Sequence, residues 1–231
     1  MFSHVYHFLK GPNPLHPSMW GRLRPLTFRR FAVTDMPRCL ELYALNEAGR
    51  FPEGFIEEYK KTLREQTSYF LVAEIKGQII ASGGVGYLGE NTAVFCFGLV
   101  RPSHHGRGVG TALLLARLAL LNPKRPAYQV VILAVEKSFD YYKRFGFRNF
   151  TVWPDIHGQK HPCGRLRVTC SEIRRCRELL RKHGIVVPQD EDQIPSTKVL
   201  QSETRQSRCQ FCREIINAFD DVCKSCGRPL S

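Results

Sequence analysis

Three glycines at alternate positions, Gly106, Gly108 and Gly110, stand in the stretch Val100-Arg101-Pro102-Ser103-His104-His105-Gly106-Arg107-Gly108-Val109-Gly110-Thr111. An apolar run from Val94 to Val100 leads into it, and a helix-forming run from Thr111 to Leu121 leads out. Glycine takes up positive φ and lets the backbone approach a ligand closely, so several N–H groups can converge. The first N–H groups of the following helix lack partners inside it and lie at its positive end. Residues of these types in this order suit a phosphate or pyrophosphate. Gly110-Thr111-Ala112 lacks the lysine of a Walker loop, and Thr111 stands where the dinucleotide fingerprint needs its third glycine. A glycine-rich turn with no ligand is the alternative.

A second set of reactive residues lies near the C-terminus. Cys209-Gln210-Phe211-Cys212 and Cys223-Lys224-Ser225-Cys226 are two Cys-x-x-Cys hooks separated by a short interval. Each offers two thiolates from a tight turn, and the pair completes a tetrahedral four-cysteine shell for Zn2+. With four thiolates and no histidine, a closed structural site is expected rather than a catalytic one. So short a segment depends on its metal to fold. Disulfides are the alternative. The spacing and the trailing Gly227-Arg228-Pro229-Leu230 resemble a short zinc ribbon.

The loop His105-Gly106-Arg107-Gly108-Val109-Gly110 resembles the Gln/Arg-x-x-Gly-x-Gly/Ala loop of the GNAT family of N-acetyltransferases, with His105 where Gln or Arg is usual. The resemblance implies that His105, Gly106, Arg107, Gly108, Val109, Gly110 and Thr111 bind the pyrophosphate of acetyl-CoA. Ser138-Phe139-Asp140-Tyr141-Tyr142-Lys143-Arg144-Phe145-Gly146-Phe147 resembles the family's Ala-x-x-x-Tyr-x-x-x-Gly-Phe segment, with Ser138 at the alanine position. This implies that Tyr142 stands beside the cofactor sulfur. A phenol of pKa ~10 is protonated at neutral pH and can donate to a departing thiolate. The alternative is that Tyr141 and Tyr142 only pack their helix onto the sheet. The resemblance also implies that a backbone N–H of Leu99 or Val100 polarises the thioester carbonyl. Glu74 and Glu136, near strand ends, are candidate bases beside a chain of waters. The acceptor pocket would be framed by residues 46–54 and 153–164. The second of these carries Trp153, Asp155, His157, His161 and Cys163, suited to a polar amine. His157, His161 and Cys163 lack a fourth ligand for a metal site.

These residues need a scaffold, and hydrophobic patterning predicts one. Strands are expected at 26–31, 69–75, 78–85, 91–100, 128–135, 147–153 and 164–168, with Lys76-Gly77 as a hairpin turn. Helices are expected at about 34–46, 51–66, 110–121, 138–145 and 171–183. The fold class is therefore α/β (α+β), and the element order is that of the GNAT family: a mixed, mostly antiparallel sheet flanked by helices. The expected organisation is an N-terminal arm at 1–25 and an acetyltransferase domain with a basic terminal helix at 26–187. A polar linker at 188–208 and the zinc-ribbon-like module at 209–231 complete it.

Charge sharpens this reading. The 231 residues carry a net charge of +13, yet no Asp or Glu falls between Glu90 and Glu136. That interval holds Arg101, Arg107, Arg117, Lys124 and Arg125, which suits a polyanionic ligand. A second basic group, Arg174, Arg175, Arg177, Arg181 and Lys182, fits a solvated helix face or a contact with nucleic acid or an acidic partner. No run approaches the ~20 apolar residues of a membrane span. Met1 to Pro25 lacks a sustained apolar centre and carries Pro12, Pro14, Pro17 and Pro25, unlike a signal peptide. Nine cysteines, an odd number with four in hooks, point to metal binding in a reducing cytoplasm. The expectation is an acetyl-CoA-dependent N-acetyltransferase acting on an amine, either a small molecule or a protein. The alternative is a non-catalytic CoA-binding scaffold whose ribbon and basic helix recruit RNA or a protein partner. For the ribbon, nucleic acid, protein, its own domain and a second subunit all stay open.

Overall fold

The computed structural model describes residues 26–47, 51, 54–88, 91–124, 127–133, 138–154, 160–189, 194–195, 207–208, 212 and 215–216. The N-terminal arm expected over 1–25, Glu136, Asp155, His157, Cys209, Cys223 and Cys226 lie outside those residues. The chain divides into two compact units, Met1–Ser196 and Thr197–Ser231.

In the first unit the elements follow the predicted order. They are β1 (Thr27–Arg30), α1 (Met36–Glu47), α2 (Phe55–Glu65), β2 (Tyr69–Ile75), β3 (Gln78–Tyr87) and β4 (Thr92–Val100). Then come α3 (Val109–Leu120), β5 (Ala127–Leu133), α4 (Phe139–Lys143), β6 (Arg148–Pro154), β7 (Lys160–Thr169) and α5 (Cys170–Lys182). The strands form one seven-stranded sheet in the order β1-β2-β3-β4-β5-β7-β6. Every pairing is antiparallel except β4 with β5, which a helical crossover joins.

Both faces of the sheet are covered, so β2 is apolar on both sides. Leu71 and Ala73 face the cluster built around α3 and α5, while Phe70 and Val72 face the one around α1 and α2. Strand periodicity of two produces this split. Helix α3 is wrapped on all sides, with every residue from Val109 to Leu120 buried except Gly110. A helix that is apolar all round apart from Thr111 and Arg117 requires such an environment. Its C-terminal carbonyls are met from α5: Arg177 donates from Nε to Ala119 O at 2.7 Å and from Nη2 to Leu121 O at 3.1 Å. A cation there also suits the negative helix end. Helix α5 opens on a capping box, with Glu172 N–H donating to Thr169 Oγ1 and Thr169 N–H donating to Glu172 Oε2 at 2.7 Å.

Several boundaries differ from the sequence prediction; α2 starts at Phe55 instead of Phe51, and α4 ends at Lys143 instead of Phe145. Strand β7 begins at Lys160 instead of Gly164, despite Pro162. Residues 160–162 pair with β6, and among the described residues pairing with β5 starts at Cys163. Within the stretch expected as linker, Ile194 is buried and Pro195 O accepts from Tyr87 N–H at 2.9 Å; just before it, Val186 O accepts from Phe28 N–H at 3.1 Å. This strap reaches β1 and β3.

In the second unit β8 (Ser207–Arg208) pairs antiparallel with β9 (Ile215–Ile216). The first cysteine hook lies in the connection between them. Among the described residues no helix is long and apolar enough to cross a membrane, and no group of three metal-ligating side chains is present.

Candidate active site

The site begins with a defect in β4. Ser82 pairs with Leu99 but Gly84 pairs with Cys96, so β4 carries one extra residue between those pairs. This bulge includes Phe97, whose φ of 44° is unusual for a bulky residue. Pairing of β4 with β5 covers only Thr92 to Phe95 against Gln129 to Ile132. Among the described residues, β4 has no partner on that side from Cys96 to Val100. Arg101 N–H donates to Ile80 O on β3 at 2.7 Å. By strand alternation the neighbouring Val100 N–H and C=O point the other way, into the opening.

The glycine loop follows this strand end. His105 Nε2 lies 2.8 Å from Val100 O. A carbonyl only accepts, so Nε2 carries the proton, and the imidazole clips the loop back onto β4. Arg101 pairs with Glu41 of α1 at 2.8 Å, fixing the strand end from the other side. Burial, then Arg107 and Arg101, lower the pKa of His104, which keeps its ring neutral in this basic surrounding.

The three glycines serve two purposes. Gly106 and Gly108 have φ of 69° and 85°, the left-handed region that L side chains avoid. Gly108 is the N-cap of α3, with no side-chain cap on the first N–H groups. Gly110 is needed for packing: a Cβ there would stand 3.2 Å from Tyr141 Oη. Gly108→Ala forces a Cβ onto left-handed backbone at a cost of about 1–2 kcal/mol. Its urea midpoint is expected to fall accordingly, and an unchanged midpoint would refute the strain.

Adjacent tyrosines of α4 point to different places. The Tyr141 hydroxyl is buried against α3, and burial followed by the neighbouring Tyr142 pushes its pKa well above that of an ordinary phenol. The Tyr142 hydroxyl instead reaches the β4 bulge, 3.4 Å from where a Cβ on Gly98 would stand. The opposite face of the bulge is aromatic, with Phe97 packed 4.9 Å from Tyr59 and 5.6 Å from Phe55 between ring centroids. Phe51, from the expected acceptor frame, stacks on Tyr43 at 5.0 Å.

Glu74, a candidate base on sequence grounds, is committed elsewhere. Its Oε1 accepts from Arg29 Nη2 at 2.6 Å, and Arg29 also holds both oxygens of Asp35, at 2.6 and 2.8 Å. The Arg29 guanidinium keeps Asp35 below the usual carboxylate range. Sequence reasoning passed over Gly83 and Gly98 and placed Arg117 only among the bases of the acid-free interval; the three meet at the bulge. The available signal was a single arginine inside the otherwise apolar run Thr111 to Leu121.

Residues 66–149 match the acetyltransferase (GNAT) domain. That window contains the bulge, the glycine loop and Tyr142. Over that window the chain is similar to GNAT acetyltransferase domains. No curated protein matches the sequence. Among solved structures, a GNAT-family protein from Desulfovibrio desulfuricans, assigned as an acetyltransferase, is similar at 17% identity. The match spans 63% of this chain and 99% of that one, with a TM-score of 0.50, and shows the shared fold. The ribosomal-protein-S18-alanine N-acetyltransferase of Escherichia coli aligns at 19% identity, over 62% of this chain and 94% of its own, with a TM-score of 0.48. A Brucella melitensis GNAT acetyltransferase in complex with acetyl-CoA aligns at 22% identity, over 60% and 86%, with a TM-score of 0.45.

Proposed function

We propose that the protein is an acetyl-CoA-dependent N-acetyltransferase that moves the acetyl group directly onto an amine. The observation carrying this reading is a convergence at one opening. The positive-φ loop at the start of α3, the free edge of β4 and the Tyr142 hydroxyl all border the place where β4 leaves β5. In this reading the backbone N–H groups of residues 105–111 hold the pyrophosphate. The Val100 N–H polarises the thioester carbonyl, favoured over Leu99 by its direction. Tyr142 gives its proton to the sulfur as the carbon–sulfur bond breaks. The amine loses its proton to water; Glu74 is held by Arg29.

The aromatic face of Phe97, Phe55 and Phe51 lies on the acceptor side in this reading. In the second unit we assign a structural Zn2+ to Cys209, Cys212, Cys223 and Cys226, supported by the spacing of the two hooks. Cys39, Cys96, Cys163, Cys170 and Cys176 are unpaired thiols, in keeping with a reducing compartment.

The test is a panel of amines, from amino acids and polyamines to peptide N-termini and lysine peptides, given to zinc-loaded protein with acetyl-CoA. Thiol release with at least one acceptor class is expected. Measurable CoA binding with no turnover on any amine would favour a scaffold instead.

A further inference from the structure

Arg117 is the only charged residue of α3 and is 2% exposed. Its guanidinium occupies a notch made by glycines on two neighbouring strands. A Cβ on Gly83 would lie 3.3 Å from Arg117 Cδ and 3.4 Å from Nε and Nη1, and one on Gly98 would lie 3.1 Å from Nη2. A Cβ at either position would crowd it, so the guanidinium would have to shift by a few tenths of an ångström. Cζ stands 4.8 Å from the centroid of the Phe95 ring. Among the described residues no carboxylate pairs with Arg117, and its buried Nε meets no acceptor.

A charge this deep is expensive unless something compensates it, and one aromatic face does so only in part. The location suggests what completes the pairing. Among the described residues Phe95 is the last of β4 to pair with β5, and Gly98 lies just beyond it. The Tyr142 hydroxyl abuts the same Gly98 position, at 3.4 Å. Cation and phenol therefore meet at the apex of the opening.

We propose that Arg117 is an electrostatic catalyst for the leaving group, supplying the counter-charge to the CoA sulfur as it departs. This rests on the acetyltransferase reading above. In the transfer the amine nitrogen bonds to the acyl carbon, and the carbon–sulfur bond breaks with its electron pair left on sulfur. The amine proton passes to water, and sulfur takes a proton from Tyr142, which regains one from solvent. Between cleavage and protonation the sulfur is an anion facing Arg117. The preorganised cation needs no reorganisation at that moment, which is how such groups lower barriers. The other titratable or charged groups around that position are Cys96 of β4, Tyr141 and Tyr142 of α4, and Arg144, whose Cζ lies 5.2 Å from the Tyr141 ring.

The test uses the full chain with CoA itself, following the ultraviolet absorbance of its bound thiolate against pH. The thiol is expected to titrate roughly 1–3 units lower in the wild type than in Arg117→Met. Arg117→Lys, which keeps the charge, is expected to retain most of that shift. Thermal unfolding of Arg117→Met is expected at or above the wild-type temperature, because an apolar side chain replaces an uncompensated buried charge.

An unchanged thiol titration in Arg117→Met overturns the proposal. So does unfolding of both the Met and Lys variants, which would make Arg117 a packing residue. A third overturning result is a switch in acyl preference between acetyl-CoA and a dicarboxylic acyl-CoA with the thiol titration unmoved, since Arg117 would then read an acidic acyl group. Failure to bind CoA at all removes the acetyltransferase reading together with this one. Binding with an unshifted thiol removes only the role of Arg117.

Discussion

Tyr142→Phe is expected to lower kcat for acetyl transfer by about 10²–10⁴-fold, with little change in KM for acetyl-CoA. The substitution removes one oxygen and keeps the ring. The edge-on contacts with Tyr141, at 5.0 Å, and with Phe147, at 5.4 Å, survive, so the fold is expected to be undisturbed. What disappears is the phenol hydroxyl that reaches Gly98 of the β4 bulge; Tyr141 turns its own toward Gly110. Steady-state kinetics on whichever acceptor emerges from the amine panel gives the comparison. Full activity in the variant would remove Tyr142 as the acid and leave water to protonate the sulfur.

Gly84→Ala is expected to be the most damaging single methyl group in the sheet. The added Cβ would stand 2.5 Å from Cys96 Sγ and 2.9 Å from two ring carbons of Phe70. Gly84 and Cys96 face each other directly across β3 and β4, and Phe70 and Cys96 are largely enclosed. Overpacking of this kind costs about 1–3 kcal/mol, and backbone held by pairing on both sides argues for the upper end. A domain of this size loses about 2–4 °C in Tm per kcal/mol, which calorimetry can read. Cys96→Ala in the same chain is expected to recover part of the loss, since it removes the nearer clash but not Phe70. Cys96 adjoins the bulge, so acetyl transfer should weaken along with stability. A Gly84→Ala protein as stable as the wild type would refute the close packing described for this position.

The scaffold was legible in the sequence because its signals are local. The Lys76-Gly77 turn, the alternation in β1 and the apolar run of β5 each follow from neighbouring residues. The glycine loop was legible for the same reason, since positive φ at Gly106 and Gly108 leaves a direct mark on residue choice. The bulge was not. It arises from a mismatch of register between β3 and β4, and Phe97 at positive φ has no composition signature. Gly110 was grouped with its neighbours as part of a ligand cradle, yet its need for a small side chain comes from Tyr141, distant in sequence. Arg117 counted as one of several bases in an acid-free interval. Only the three-dimensional arrangement distinguishes it from Arg107, which is exposed. Glu74 illustrates the converse. Its position near a strand end was readable, but its partner Arg29 lies on the neighbouring strand β1, 45 positions earlier in the chain.

The strap beyond α5 carries a practical consequence for anyone wishing to shorten this chain. Composition places the last useful residue of the first unit at Val187, just before the polar stretch begins. Cutting there would take away Pro195, the carbonyl that receives the Tyr87 N–H, and Ile194, which is buried. Strand β3 would lose its seal at the end where it runs into β4. A minimal catalytic fragment should therefore end no earlier than Ser196, where the first compact unit closes.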